Sequence, residues 1–345
     1  MKFFDTIIIG GGAAAWAAAL YAKRYNLSVL VVEGELGGET ALAGAIENYP
    51  GILSIDGFEL IQRMKNQAVG LGAETLSGKA ELVKNFAHCF EVRVGRENYQ
   101  SQSVILATGM EHRKLGLGRE SELKGRGVHY CATCDGPLFK GKRAGVVGGG
   151  DSAVKWASQL SDMGAAAVTL FVREPNLNRA EPINRERLKK YSNINVLLET
   201  VLTAFVGGPP LKAVRYKVKK GKERELALDG VFVAIGAVPR SELPAQLGVK
   251  LDKQGQIDVD PRTMKTSVDG VFACGDVTNA SGSFKQIVTS AAQGAIAATS
   301  AYLDLSTHHD FCALHAVPVA GLLETGAQHQ KNGGRRRVKT KSRRH

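Results

Sequence analysis

Thr6-Ile7-Ile8-Ile9-Gly10-Gly11-Gly12-Ala13-Ala14-Ala15 decides the fold, because it carries a buried strand into a helix through a glycine turn. Thr6 to Ile9 read as the strand, and the six residues from Gly10 satisfy G-x-G-x-x-A. Trp16, Ala17, Leu20 and Tyr21 then recur at helical spacing. Ser28-Val29-Leu30-Val31-Val32 reads as a second strand ending in Glu33, which lies 23 residues beyond Gly10. Strand, glycine turn, helix, strand and acid, in that order, predict a dinucleotide-binding unit. Gly10 and Gly12 let the backbone approach a pyrophosphate, and Ala15 closes the motif. The helix start supplies free N–H groups, and the Glu33 carboxylate can hold two ribose hydroxyls. The competing reading is an ordinary strand–helix–strand turn, and the presence of every part argues against it.

The same grammar returns later in the chain. Arg143-Ala144-Gly145-Val146-Val147 reads as a strand that meets Gly148-Gly149-Gly150-Asp151-Ser152-Ala153, again G-x-G-x-x-A. Val154, Trp156, Ala157 and Leu160 mark the apolar side of the helix that follows, and Val168 to Val172 reads as the next strand. Val231-Phe232-Val233-Ala234-Ile235-Gly236 echoes the earlier closing strand Val104-Ile105-Leu106-Ala107-Thr108-Gly109. Two such units imply two dinucleotide sites. At the end of the second unit's strand, Arg173 stands where the first unit has its acid. An arginine there accommodates a 2′-phosphate, and Arg179 could also reach it, whereas Glu174 would repel it. The choice between NADP and NAD stays open. Gly270 to Asp276 is a third strand-to-turn element, whose Cys274 reads as a small buried core residue. An Ala-rich helix is predicted from Gln286 to Leu303.

Between the two units lies Cys131-Ala132-Thr133-Cys134-Asp135. Two thiols separated by two residues can close as a small disulfide ring or open as a dithiol. That spacing can hold one thiol's pKa well below the free value of about 8.5. Asp135 can carry a proton to or from a leaving thiolate. Half of a zinc site is the competing reading, and the lack of a second thiol pair elsewhere argues against it.

Bulk composition agrees with this organisation. A chain of 345 residues, 44% of them hydrophobic and 40 of them Gly, suits an α/β protein of two domains with many tight turns. Five cysteines form an odd, sparse set, which argues against a disulfide-stapled secreted domain and for the cytoplasm. Met1-Lys2-Phe3-Phe4 begins like a signal peptide, but Asp5 and the Gly10-Gly11-Gly12 interruption oppose that reading. No apolar run approaches the roughly 18 residues needed to cross a bilayer, so no membrane partner is expected. The net charge of +12 is concentrated at the end: Lys331 to His345 hold eight Lys/Arg and no acid, and 12 − 8 leaves +4 for the rest. Nucleic acid would be met only through that tail. His308, His309, Cys312 and His315 lack a second ligand cluster, so no metal is expected.

These residues together resemble the low-molecular-weight thioredoxin reductase family of flavin disulfide reductases. The resemblance runs from about Phe4 to Leu305. It rests on both glycine turns, Gly37-Gly38 leading to Glu47-Asn48-Tyr49-Pro50-Gly51, Ala107-Thr108-Gly109, the C-A-T-C-D core, and Gly275-Asp276-Val277 with Lys285-Gln286.

The resemblance implies two Rossmann-like domains. A discontinuous FAD domain spans residues 1–115 and 244–306, the nicotinamide domain is inserted at 116–243, and a disordered basic tail covers 307–345. FAD is then held by Gly10, Gly12, Ala15, Glu33, Gly38, Asn48, Thr108, Gly109, Gly275, Asp276, Lys285, Gln286 and Ile287. The nicotinamide cofactor, NADPH with NADH as the alternative, is held by Gly148, Gly150, Asp151, Ser152, Ala153, Arg173 and Arg179. The resemblance also implies a homodimer whose domains swivel, so that the flavin meets the nicotinamide and the disulfide in turn. Cys134 faces the flavin, Cys131 attacks the disulfide of a thioredoxin-like protein, and Asp135 moves the proton. Family members that prefer NADPH have His-Arg-Arg where this chain has Val172-Arg173-Glu174, and Glu39 stands where many relatives have Gln. Readings that keep the fold but change the donor or acceptor (ferredoxin, a peroxidase partner, a small dithiol) compete, as does a flavin-containing binding protein using its basic tail.

Overall fold

The computed structural model describes residues 2–86 and 89–307. The predicted basic tail and its histidine cluster lie outside the described residues, apart from Thr307, which ends the last helix.

Two sheets built around parallel strands organise these residues. In the first, Phe3–Ile9 runs between Val29–Glu33 on one side and Glu97–Leu106 on the other, parallel to both. Ile7, Ile8 and Ile9 are all buried, as expected of a central strand covered on both faces. Glu97–Leu106 has two further neighbours: Phe90–Val94 pairs antiparallel with its start, and Val271–Ala273 pairs parallel with its end. A strand from late in the chain therefore completes the first sheet. The second sheet runs Val128–His129, Gly230–Val233, Arg143–Val147, Ala167–Phe171, Ile194–Leu197, all parallel.

Each glycine turn is set by crowding. Gly10 has φ +139°, and a Cβ built on it would lie 2.1 Å from the Ala107 carbonyl oxygen. Gly148 has φ +147°, and its Cβ would lie 2.2 Å from the carbonyl oxygen of Ala234. Only glycine lets the chain pass the neighbouring strand this closely and then enter a helix. The helices Ala13–Arg24 and Asp151–Asp162 follow the two turns. Trp16 is fully buried and donates from Nε1 to the Gly11 carbonyl at 2.8 Å, which braces the first turn from its own helix.

The chain passes between the two sheets twice, and the two crossings pair with each other. Met110–His112 and Ala237–Pro239 form a two-stranded antiparallel ribbon with Val238 opposite Glu111. Thr108 Oγ1 donates to the Arg240 carbonyl at 2.8 Å beside it.

The Ala-rich helix is longer at its end than predicted, running Ile287–Thr307. It packs on Ala13–Arg24 through small residues, and a Cβ on Gly294 would lie 2.2 Å from the Ala14 carbonyl oxygen. Among the described residues, no helix is long and apolar enough to cross a membrane. Gly294→Ala should force these helices apart and cost roughly 1–3 kcal/mol in urea denaturation. Gly70→Ala, where the added Cβ meets nothing within 4 Å, serves as the control. Equal stability of the two variants would show that the helices do not depend on this close approach.

Candidate active site

Two cavities lie along the carboxyl ends of the strands. The first, about 340 Å³, is walled by the turn Gly10 to Ala14, by Gly38, Thr108 and Gly109, and by Gly275 and Asp276. The second, about 310 Å³, lies between the two sheets' units. Its walls include Asn48, Lys285, Gln286 and Ile287 on one side, and Asp151 and Ser152 from the second glycine turn on the other. Glu39, Thr40, Asp276 and Ser290 line both cavities and mark where they meet. The second turn thus faces the mouth of the first cavity.

Several expected residues stand elsewhere. Ala15 is fully buried against the core, lining neither cavity. Gly148, Gly150 and Ala153 shape the second turn without lining a cavity wall. Glu33 sits beneath the first turn, with Oε2 accepting from Lys65 Nζ at 2.6 Å. The same ammonium lies 5.1 Å from the Trp16 ring centroid. The wall beside Glu33 is made instead by Val32, Gly34 and Glu35. The register also corrects the place given to Arg173. Ile9 pairs with Val32 and Val147 with Phe171, so the residue in Glu33's position is Val172, and Arg173 lies one beyond it.

Cys131 and Cys134 form a disulfide. Cys131 is buried at the start of the short helix Ala132–Asp135, and Cys134 is exposed. The Cys134 N–H donates to Cys131 Sγ at 3.0 Å. The pair lines neither cavity; it is held to one side by Thr133, whose Oγ1 donates to the Leu42 carbonyl at 2.9 Å and accepts from Gln159 Nε2 at 3.1 Å. Asp135 has a partner that the sequence did not disclose. Its Oδ2 lies 2.7 Å from Nδ1 of His129, a buried ring packed edge-on to Phe139 and stacked on Phe232. Cys274 is a buried core residue as expected, and burial pushes its thiol up to about 12, so it is inert. Among the described residues no cluster could hold a metal ion.

Charge at the junction of the cavities is unusual. Burial pushes Glu39 up to about 7, against the pull of Arg240, while Glu35 and Asp276 add to the rise. His112 Nε2 stands 3.4 Å from Glu39 Oε1, and burial pushes this imidazole down, so it adds no compensating positive charge at neutral pH. Asp276 is raised by burial and held by Ser290 Oγ at 2.9 Å. Burial lowers Lys285, whose ammonium donates to the Thr278 carbonyl. Sequence reasoning missed His112, His129, Arg240 and Ser290, which belong to no motif.

A family model described as pyridine nucleotide-disulphide oxidoreductase matches residues 4–294. The chain belongs to this family. It is 44% identical over 306 residues to a thioredoxin reductase of Treponema pallidum, covering 87% of this chain and 97% of that one. It is 40% identical over 302 residues to that of Bacillus subtilis, covering 87% and 94%. The T. acidophilum thioredoxin reductase structure superposes with a TM-score of 0.83 at 38% identity, covering 89% of this chain and all of that one. The Lactococcus lactis thioredoxin reductase in its FR conformation gives 0.82 at 36% identity, covering 87% and 98%. The α/β fold and the family resemblance read from the sequence are thereby borne out. For a pyridine nucleotide-disulphide oxidoreductase, the arrangement has a clear sense: the second turn faces the first cavity while the disulfide stands aside.

The Glu39 carboxyl, about 41% exposed to the cavity, gives a test by pH. Glu39 binds its proton more tightly when folded, from an ordinary 4.5 up to about 7. Its contribution to stability therefore falls as pH rises from 4.5 through 7, where the folded chain must carry a poorly solvated charge. Glu39→Gln removes this decline. Its stability advantage over the parent in urea should grow between pH 5 and pH 8 by on the order of 1 kcal/mol, a value kept small because cavity water screens the side chain. A constant difference across that range would mean that Glu39 ionises as a solvated carboxylate.

Proposed function

We propose that the protein is a thioredoxin-disulfide reductase, passing two electrons from a pyridine nucleotide at the second turn to FAD in the first cavity, then through Cys131–Cys134 to a thioredoxin-like disulfide. The observation that carries this reading is the disulfide itself, set between two glycine-turn units in a chain whose relatives are thioredoxin reductases. The first cavity suits a dinucleotide. Gly12 and Gly38 pack against each other on its wall, a Cβ on Gly38 meeting the Gly12 Cα at 3.8 Å, so bare backbone beside the start of the Ala13–Arg24 helix is presented to a pyrophosphate. FAD bound there supplies the relay between a hydride donor and a disulfide.

The chain's own groups account for the remaining steps. Reduction of Cys131–Cys134 adds two electrons and gives one thiol and one thiolate. The N–H that Cys134 directs at Cys131 Sγ would stabilise negative charge there, which supports Cys131 as the attacking thiolate. That thiolate breaks the partner's S–S bond and forms a mixed disulfide, and Cys134 then displaces the reduced partner and restores the starting bond. Asp135, steadied by His129, is placed to hand a proton to the departing sulfur. Each catalytic cycle consumes one reduced pyridine nucleotide and one proton and yields one dithiol.

The disulfide must reach the flavin cavity for this cycle to close, and in the present arrangement it lies outside both cavities. The ribbon of Met110–His112 against Ala237–Pro239 supports a rotation of an inserted domain at residues 116–243 against one formed by 1–115 and 244–306, because both chain crossings pass through it. Thr133 would release the Leu42 carbonyl during that movement while keeping its hydrogen bond from Gln159. The family resemblance supports a homodimer working in the cytoplasm.

Anaerobic titration tests the donor half and turnover tests the acceptor half. In Cys134→Ser, reduced pyridine nucleotide should still bleach the flavin, while reduction of a thioredoxin disulfide falls to background. Retained thioredoxin reduction in this variant would sink the proposal.

A further inference from the structure

The middle glycine of each turn serves as a probe for what stands over the site. A Cβ on Gly11 would lie 2.6 Å from Glu33 Cγ and 2.9 Å from its Oε1. A Cβ on Gly149 would lie 2.9 Å from Val172 Cγ1, as the strand register requires, but also 3.4 Å from Glu174 Oε2. The second unit thus has a valine in Glu33's place and brings its carboxylate back from two residues further on. Glu33 is buried beneath Lys65; Glu174 is half-buried at the edge of the turn.

Glu174 also engages the two arginines that a 2′-phosphate would need. Its Oε1 accepts from Arg173 Nη2 at 3.0 Å and stands 3.6 Å from Arg179 Nη1. The next arginines along the chain are committed too, Arg185 Nη1 donating to Asn178 Oδ1 at 3.1 Å and Arg187 pairing with Glu47 at 2.6 Å. The Arg173 hydrogen bond holds Glu174 below the usual carboxylate range, with Arg179 adding to the effect, so the group is ionised at neutral pH.

We infer that Glu174 selects a dinucleotide with an unmodified adenosine ribose, so that the electron donor is NADH rather than NADPH. The inference rests on reading the second turn as the pyridine nucleotide site. A carboxylate over the turn accepts from both hydroxyls of a ribose diol. A 2′-phosphate would bring its negative charge against the same carboxylate, and could recruit Arg173 or Arg179 only by breaking their pairs with Glu174. The diol has neither difficulty.

Two measurements on the flavin-loaded full chain test this. The first compares kcat/KM for NADH and NADPH with one thioredoxin acceptor. The second compares calorimetric binding of ADP-ribose and 2′-phospho-ADP-ribose, which involves no turnover. NADH and ADP-ribose should each be favoured by at least about tenfold. Glu174→Arg should move both ratios toward the phosphorylated ligand by on the order of a hundredfold, chiefly through KM, and Glu174→Gln should move them part of the way. Equal or better use of NADPH by the parent would overturn the inference while leaving the reductase reading intact. So would unmoved ratios in both variants. Failure of both nucleotides to bleach the flavin, together with no binding of ADP-ribose, would remove the reading of the second turn and the inference with it.

Discussion

Everything in this structure depends on how closely backbone passes backbone at two points. At Gly10 and at Gly148 the chain leaves a central strand so near the adjacent strand that a methyl group would sit about 2 Å from a carbonyl oxygen. The tight passage aims each following helix with its free N–H groups toward the carboxyl edge of the sheet, where a ligand can approach the backbone. Small residues then spread the same constraint outward. Gly294 seats the Ile287–Thr307 helix against Ala14, and Gly275 brings the Val271–Ala273 strand's end to the same edge, with a built Cβ 2.9 Å from Ala14 Cβ. The first cavity is the space left where these close approaches stop.

The use of the same turn twice does not make the two sites alike. In the first unit the acid is absorbed into the fold: Lys65 neutralises Glu33 while its stem and charge pack over Trp16, which in turn holds Gly11. A buried carboxylate with a paired ammonium is costly to separate, so this acid acts as a brace for the turn. In the second unit Val172 takes the buried place and leaves the carboxylate of Glu174 half-buried beside the turn. There its neighbours are two exposed guanidiniums, and its energetic role is to choose what binds, not to hold the turn in shape.

This difference shows what the sequence made legible and what it did not. Motifs whose meaning lies in backbone sterics were readable: both glycine turns, the strand triplet Ile7-Ile8-Ile9, and the paired thiols all sit where spacing put them. Boundaries were less so: the Ala-rich helix continues to Thr307, with Asp304 near its end held by Lys265 at 2.6 Å. Contacts set by tertiary packing were not readable at all. His129 meets Asp135 only because Phe139 and Phe232 fix its ring, and Arg240 reaches Glu35 at 2.7 Å across 205 positions. Assigning Arg173 to the acid's position was a one-residue error that counting from the strand's apolar run could not detect, since Val172 continues that run. Only the ladder pairing of Val147 with Phe171 reveals it.

The junction of the two cavities is where these threads meet. Glu39, Asp276 and Ser290 wall both spaces, so whatever fills the first changes the solvent available to groups that also face the second. Burial already drives Glu39 and Asp276 toward their neutral forms, and drives His112 and Lys285 toward theirs. A junction that draws acids and bases alike toward their neutral forms suits a hydride, which carries its electrons without a separated ion. The disulfide needs the opposite surroundings, because a thiolate must form and be stabilised. It sits apart, beside a carboxylate, a buried histidine and an aimed N–H, with the exposed Cys134 at its edge. Holding the disulfide outside both cavities lets each chemistry keep the surroundings it requires.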